Sequence, residues 1–288
     1  MRLSLNITNY SWPGEPVGIG HELGRVVRAA DEAGVDTVWV SDHLIQADPN
    51  STPEVEMLEA YTTLGFLCAQ TERVRLGTMV TGVTYRPPAL LVKAVTTLDV
   101  LSGGRAWLGV GAGYQEFEAH AMGLPLPPTA ERFERLAETL RLALRMWSGD
   151  DSAFEGEHYR LDRPINSPNS VRRPHPPILI GGMGEQKTLR LVAEYGDACN
   201  LFDIPDGGAT IRRKLEVLAR HCEAVGRPYE AIDKTVSTRL EEGESPDDFA
   251  GRCAALAELG IEHAVVIVNG PWTEEAVGRL AAAAATLA

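Results

Sequence analysis

Short apolar runs alternate along this chain with longer stretches in which apolar residues recur every three or four positions. The first pattern predicts strands and the second amphipathic helices. Leu3–Ile7 reads as a strand; Leu23, Val26, Val27, Ala30 and Ala33 mark a helix stripe that Gly34 stops. Thr37–Val40 is a buried strand, followed by a polar loop through Pro53. Helix 58–69 and strand Val74–Val80 come next, then helix Leu90–Leu101, closed by Gly103-Gly104, and strand Arg105–Val110. The strongest helix carries Phe133, Leu136, Ala137, Leu140, Ala143, Leu144 and Trp147 at helical spacing. Beyond an irregular stretch over 148–177, the pattern resumes as strand Ile178–Ile180, helix 188–194, strand Ala198–Phe202 and helix 211–225. A weaker strand at 235–240, helix 247–259, strand 263–268 and the alanine-rich helix 274–287 complete it.

Eight strand-then-helix units predict an α/β protein with a parallel sheet and helices outside. Over this length they match a closed (β/α)8 TIM barrel better than an open sheet. No linker interrupts the pattern, so 1–288 reads as one domain. The segment 148–177, rich in Gly, Pro, Asp and Arg, is an irregular insertion between the fourth helix and the fifth strand. Its length suits a lid over the barrel mouth.

The 288 residues are 44% hydrophobic and 23% charged, ordinary for a globular chain, but the net charge is −13. That balance argues against nucleic acid and against an anionic membrane surface as partners. Cys68, Cys199, Cys222 and Cys253 are scattered without CxxC spacing and read as core thiols in a reducing compartment. The N-terminus enters a strand pattern without a signal-like apolar run, and no apolar run is long enough to span a bilayer; a cytoplasmic location is expected.

In such a barrel, ligands sit at the C-terminal strand ends. Asp42-His43 is the only pair of ionisable residues at the end of a clear strand. His43 could exchange a proton near neutral pH, or be a structural imidazole bonded to backbone. No second His or carboxylate lies at ligand spacing, so no metal is expected. The run Gly181-Gly182-Met183-Gly184 leading to Thr188 places glycines at a helix N-terminus, which suits an anion. It is not a Walker A motif, since Gln186 occupies the second glycine's place, and a plain turn is the competing reading. Gly109-x-Gly111-Ala112-Gly113 fails the dinucleotide fingerprint at Tyr114, but lets a flat ring lie against a strand end. Trp12, Tyr61, Tyr85, Tyr114 and Phe202 are candidate pocket walls, with ordinary packing as the alternative for each. Lys187, Arg172 and Arg173 are cations that could attract an acidic ligand or simply be solvated.

Several of these stretches together resemble the luciferase-like superfamily of barrel oxidoreductases. They are Ser-Asp-His at 41–43, the run from Leu76 to Arg86, Leu98–Arg105, Gly109–Tyr114, Phe154–Tyr159 and Pro176–Gly182, and they cover nearly the whole chain in order. Within the superfamily the chain is similar to the branch that uses the deazaflavin coenzyme F420; users of flavin mononucleotide (FMN) share several of the motifs. The resemblance implies that Asp42 and His43 lie beside the deazaflavin ring. It implies a non-prolyl cis peptide at Met79-Val80 that props the ring, with Met79, Val80 and Thr81 against the coenzyme. It places Gly111, Ala112 and Gly113 against the ring and side chain, and Gly181, Gly182, Met183 and Gly184 around the phosphate. The implied chemistry is hydride transfer at C5 of the deazaflavin to or from a small organic substrate, with His43 as acid or base and the coenzyme carrying the reaction. F420-dependent glucose-6-phosphate dehydrogenases have a tryptophan four residues after the histidine and a glutamate after the fourth-strand glycines. Ala47 and Tyr114 stand in those places here, which argues against a sugar-phosphate substrate and leaves His43 without a matched partner. An FMN-dependent luciferase-like monooxygenase and a non-catalytic F420-binding protein are the alternatives. Relatives often dimerise, so a homodimer stays open.

Overall fold

The computed structural model describes residues 1–14, 16–48 and 51–287. In chain order the elements begin with β1 (Arg2–Ile7), α1 (Ile19–Glu32), β2 (Thr37–Val40), α2 (Ala60–Gln70), β3 (Arg75–Thr78) and β4 (Thr81–Gly82). They continue with α3 (Pro88–Leu101), β5 (Leu108–Gly111), α4 (Glu116–Met122), α5 (Thr129–Ser148), β6 (Phe154–Glu155) and β7 (Arg160–Leu161). The second half holds β8 (Ile178–Gly181), α6 (Thr188–Tyr195), β9 (Ala198–Phe202), α7 (Ala209–Val225), β10 (Asp233–Arg239), α8 (Pro246–Glu258), β11 (His263–Ile267) and α9 (Glu274–Thr286).

Nine of these strands form one sheet in the order β3-β2-β1-β11-β10-β9-β8-β5-β4. Every pairing in it is parallel. β3 and β4 are two pieces of one stave, so the nine strands make eight staves. The sheet closes because Leu76 bridges to Ala106 while Thr81 and Gly82 pair with Val110 and Gly111. The predicted (β/α)8 barrel is therefore present, with α4 as an additional helix that hydrophobic periodicity did not reveal. The third strand, read as continuous over 74–80, breaks after Thr78. At the break the Thr78 carbonyl presses on Gly109, where a Cβ would lie 1.8 Å from the oxygen; only glycine accommodates that approach.

Two apolar layers result. Most buried side chains pack between the sheet and the helices. Inside the barrel, Trp39, Trp107, Leu179, Ala198 and Val265 form a separate plug, with Met79 and Val80 packed against it. Trp39 and Trp107 meet at 5.6 Å, and the Trp39 indole N–H donates to Ser4 Oγ at 3.1 Å. At the N-terminal strand ends the fold is sealed by charge. Arg75 bonds Asp36 at 2.9 Å, Arg2 reaches both Asp36 and Asp233, and the fully buried His263 ring lies 4.0 and 3.9 Å from those two carboxylates. All four cysteines are free and buried. Among the described residues no helix is long and apolar enough to cross a membrane.

The insertion 148–177 is tied down along the helices. Asn169 donates to the Met146 and Trp147 carbonyls, and the N–H groups of Val171 and Arg172 donate to Asp99 at 2.7 and 3.0 Å. The β6–β7 hairpin lies along α5, where buried Glu138 accepts the backbone N–H groups of Glu157, His158 and Tyr159. These contacts tie the segment to the outer side of α5 and the C-terminal ends of α3 and α5. The hairpin runs toward the start of α5, where His158 meets Glu134 at 3.0 Å beside Phe133, but none of the insertion's residues, Phe154–Tyr159 included, lines the hollow at the C-terminal strand ends.

Candidate active site

A hollow of about 710 Å³ opens at the C-terminal ends of the strands. Its floor is Val80, held above the inner plug. The Val80 side chain stands directly over Gly111 and Gly181: a Cβ on either would come within 3.0 and 2.9 Å of its methyl groups. The Met79–Val80 peptide is cis. Of the residues singled out from sequence, Asp42, His43, Met79, Val80, Gly111, Ala112, Gly113, Gly181, Gly182, Tyr114, Tyr85 and Phe202 all line this one hollow. Ala47 lines it too.

Others do not. Trp12 is buried, and its indole donates to the Trp272 carbonyl at 2.8 Å, which makes it a core residue. Thr81 is fully buried outside the hollow's lining, its hydroxyl bonded to Tyr61 at 3.0 Å, and Tyr61 carries the Arg86 guanidinium over its ring at 4.7 Å. Met183 packs on the core and its sulfur accepts the Phe202 N–H at 3.4 Å. Gly184 lies against the side chain of Thr188, and it is Thr188 that reaches the hollow. Arg172 and Arg173 are far from the mouth, beside Asp99 and Ser170 at the other end.

Asp42 and His43, neighbours in sequence, go to different partners. Asp42 is fully buried and bound by Arg86 through both guanidinium arms, at 2.6 and 3.0 Å. Arg86 also reaches Glu59, whose carboxylate caps α2 by accepting the N–H groups of Tyr61 and Thr62. His43 instead meets Glu118 of α4, Nδ1 to Oε2, at 2.7 Å. Glu118 is fully buried and also accepts the Tyr85 hydroxyl and the N–H groups of Leu44 and Ile45. Burial alone would raise the Glu118 carboxyl; the hydrogen bonds from His43, Tyr85 and Leu44 outweigh it and hold the group below the usual glutamate range. Burial and the nearby Glu118 charge push the Tyr85 hydroxyl well above its ordinary value, so Tyr85 is a neutral donor. Glu118 therefore supplies the partner for His43 that sequence reading did not find.

The other end of the hollow is suited to an anion. Gly182, at φ +116°, and Thr188 at the start of α6 lie beside Arg132 and Phe133 of α5. Arg132 donates to the Gly113 carbonyl and to Thr129 Oγ1, and Arg239 donates to Asn269. Among the described residues neither guanidinium has a carboxylate partner, so the positive charge of each is left uncompensated by an ion pair. Lys187 stands 5.4 Å over the Phe133 ring. On the wall formed by β1, the buried Asn6 carboxamide leaves Oδ1 without a hydrogen-bond partner among the described residues. Sequence reasoning named none of Asn6, Arg132, Thr188 and Arg239 as site residues. Thr188 was findable as the polar residue opening the helix after a glycine-rich strand end.

A model of the luciferase-like monooxygenase family matches residues 1–285, and this chain belongs to that family. It is 33% identical over 253 residues to an F420-dependent glucose-6-phosphate dehydrogenase of Kineococcus radiotolerans, covering 81% of this chain and 70% of that protein. It is 31% identical over 252 residues to an F420-dependent hydroxymycolic acid dehydrogenase of Mycobacterium tuberculosis, covering 84% and 66%. The chain thus spans about two thirds of the length of such curated relatives. Among solved structures, an F420-dependent secondary alcohol dehydrogenase in complex with an F420–acetone adduct superposes with a TM-score of 0.84 over all of both chains, at 16% identity. That likeness supports the barrel fold.

Proposed function

We propose that this luciferase-like chain is an F420-dependent oxidoreductase that transfers hydride between the deazaflavin and a small organic substrate. The observation that carries the reading is convergence: His43, the Met79–Val80 peptide and the glycines at 111, 113, 181 and 182 surround one hollow. The hollow fits the coenzyme on its own chemistry. Val80 and the glycines beside it give a smooth floor for a flat ring, and the orphaned Asn6 Oδ1 can accept one of the ring system's N–H groups. Gly182, Thr188 and Arg132 would hold the phosphate, with Lys187 contributing positive charge from outside. When bound, the coenzyme supplies the carbon that takes or gives the hydride.

The chain's own residues do the rest. His43 stands in the wall with Glu118 behind it, placed to hold or release a proton on a substrate oxygen. Met57, Phe133, Phe202, Ile267 and Val268 give the remaining surface an apolar character. With Ala47 and Tyr114 at the positions noted above, the substrate we propose is an apolar alcohol or carbonyl compound rather than a sugar phosphate. We read the chain as a single-domain cytoplasmic enzyme, alone or as a homodimer.

Titration of the purified protein with oxidised F420 and with FMN, followed by absorbance, tests the cofactor. F420 should bind more tightly; the reverse order would reject the reading in favour of the FMN monooxygenase. A screen of alcohols, imines and unsaturated carbonyls at the coenzyme's absorbance band would then find the substrate. His43→Ala should abolish its turnover while F420 still binds, and no turnover of any compound by the parent protein would favour the non-catalytic binder.

A further inference from the structure

We infer that Glu118 is a positioning residue that fixes the tautomer of His43, so that the imidazole presents a bare Nε2 to the hollow. The inference rests on the proposed function for its catalytic meaning, but not for its geometry.

Donors and acceptors around the Glu118 carboxylate decide the tautomer. An ionised carboxylate only accepts, through two oxygens with about four lone-pair sites. Oε1 of Glu118 takes two backbone donors, Leu44 N–H and Ile45 N–H, which cannot reverse their role. Oε2 takes the Tyr85 hydroxyl and His43 Nδ1. With Glu118 fully buried and four partners gathered on its two oxygens, the group is built to stay an anion. Nδ1 of His43 must then carry a proton to donate, since a bare nitrogen facing a carboxylate oxygen 2.7 Å away would be repelled. In the neutral ring the other nitrogen, Nε2, is left as the acceptor. No partner for Nε2 exists among the described residues, and the ring lines the hollow. His43 is thus set to take a proton from a ligand hydroxyl, not to give one to a carbonyl while neutral.

The same donors and acceptors set what Glu118→Gln does. The amide oxygen can keep Leu44 and Ile45, and the amide nitrogen then replaces Oε2. It carries two N–H donors toward His43 Nδ1 and the Tyr85 oxygen, both of which can accept. The network stays satisfied, so the variant should fold, but the His43 proton moves to Nε2. A backing group that inverts a histidine tautomer without moving the ring is known to cost orders of magnitude in rate in serine proteases.

The test is nitrogen NMR on protein labelled at the imidazole nitrogens, in mildly alkaline buffer, with His43 assigned by its loss in His43→Gln. In the parent protein Nδ1 should be the protonated nitrogen and Nε2 the bare one. In E118Q the two assignments should exchange, and in Tyr85→Phe, which removes only the second donor to Oε2, they should stay as in the parent. A protonated Nε2 in the parent protein overturns the proposal, and so does an unchanged pattern in folded E118Q. If E118Q does not fold, the parent spectrum alone decides. F420 affinity is measured on the same samples and should agree within about twofold between parent and E118Q, because the charge removed faces His43 rather than the anion end. Absence of F420 binding by the parent would refute the coenzyme reading while leaving the tautomer result standing.

Discussion

Arg86 is the side chain whose removal should damage this mouth most. Its guanidinium is 13% exposed, and the Asp42 carboxylate it binds is entirely buried. Substituting Arg86→Met preserves much of the volume but strands the Asp42 charge. Breaking a buried ion pair from one side costs about 3–5 kcal/mol, because the remaining charge has lost its partner without regaining water. The second arm to Glu59 adds little, since Glu59 is 39% exposed in its side chain and can be solvated. Stacking of the guanidinium on Tyr61 contributes a further fraction, about 0.5–1 kcal/mol. At about 2–4 °C in melting temperature for each kcal/mol in a chain of this size, the pair and the stacking together should put R86M roughly 7–24 °C below the parent. The assay is a melt followed by circular dichroism, run on parent, R86M, Asp42→Asn and the double variant. Removing both charges leaves no orphan, so the double variant should recover at least half of the R86M loss. An R86M melt within about 2 °C of the parent, or a double variant no better than R86M, would refute this account of the pair.

Three further outcomes follow from the barrel itself. Trp39→Ala empties the centre of the inner plug and should cost about 3–5 kcal/mol in urea unfolding; a loss below about 1 kcal/mol would mean the plug is not a packed layer. Gly109→Ala drives a methyl to within 1.8 Å of the Thr78 carbonyl oxygen, a backbone atom that cannot swing aside, and should cost at least about 3 kcal/mol by the same measurement, where a neutral result would deny the close approach. At the sealed N-terminal end, burial would raise the Asp36 and Asp233 carboxyls, but His263, Arg2 and Arg75 at Asp36, and His263 and Arg2 at Asp233, outweigh it and hold both below the usual aspartate value. Folded values below unfolded ones mean that their stabilisation is complete above about pH 4 and is lost as pH falls through the lower folded values. Asp233→Asn should therefore flatten the acid limb of a stability-against-pH curve, and an unchanged limb would show that this carboxylate contributes nothing there.

The staves of the barrel were legible because each buries its side chains against a helix stripe, which leaves a period of two or 3.6 in the sequence. What escaped were features with no period. The break after Thr78 depends on a contact with Gly109, thirty-one residues away, and no local pattern marks it. Helix α4 was missed because its amphipathicity is inverted: Phe117 is 59% exposed whereas Glu118 is fully buried. A charged residue facing inward on a short helix is unfavourable for folding alone, and that conflict is itself the signal that a site lies beneath it. The course of the insertion 148–177 was hidden for a related reason. Its length and composition suggested a cover, but the anchors that decide its position, Glu138 and Asp99, look like ordinary surface acids in the helix pattern.

The dipeptide at the second strand end shows how far adjacency misleads. Asp42 and His43 look like a carboxylate–imidazole pair, yet the chain turns there and sends the two side chains to opposite supports. The carboxylate's hydrogen bonds go to Arg86 and not to the ring beside it. What it does is fix the strand end: Arg86 ties Asp42 to the capped start of α2, while Glu118 holds the next two backbone N–H groups, of Leu44 and Ile45, from α4. His43 is thus clamped by its main chain on both sides before its ring makes any contact. Because a proton acceptor works only when held within a few tenths of an ångström of its partner, this double clamp, rather than the Asp-His adjacency, is what makes the imidazole usable. It follows that conservative changes at Arg86 and at Glu118 should be separable: the first loosens the strand end and lowers stability, and the second leaves the ring in place and changes only which nitrogen carries the proton.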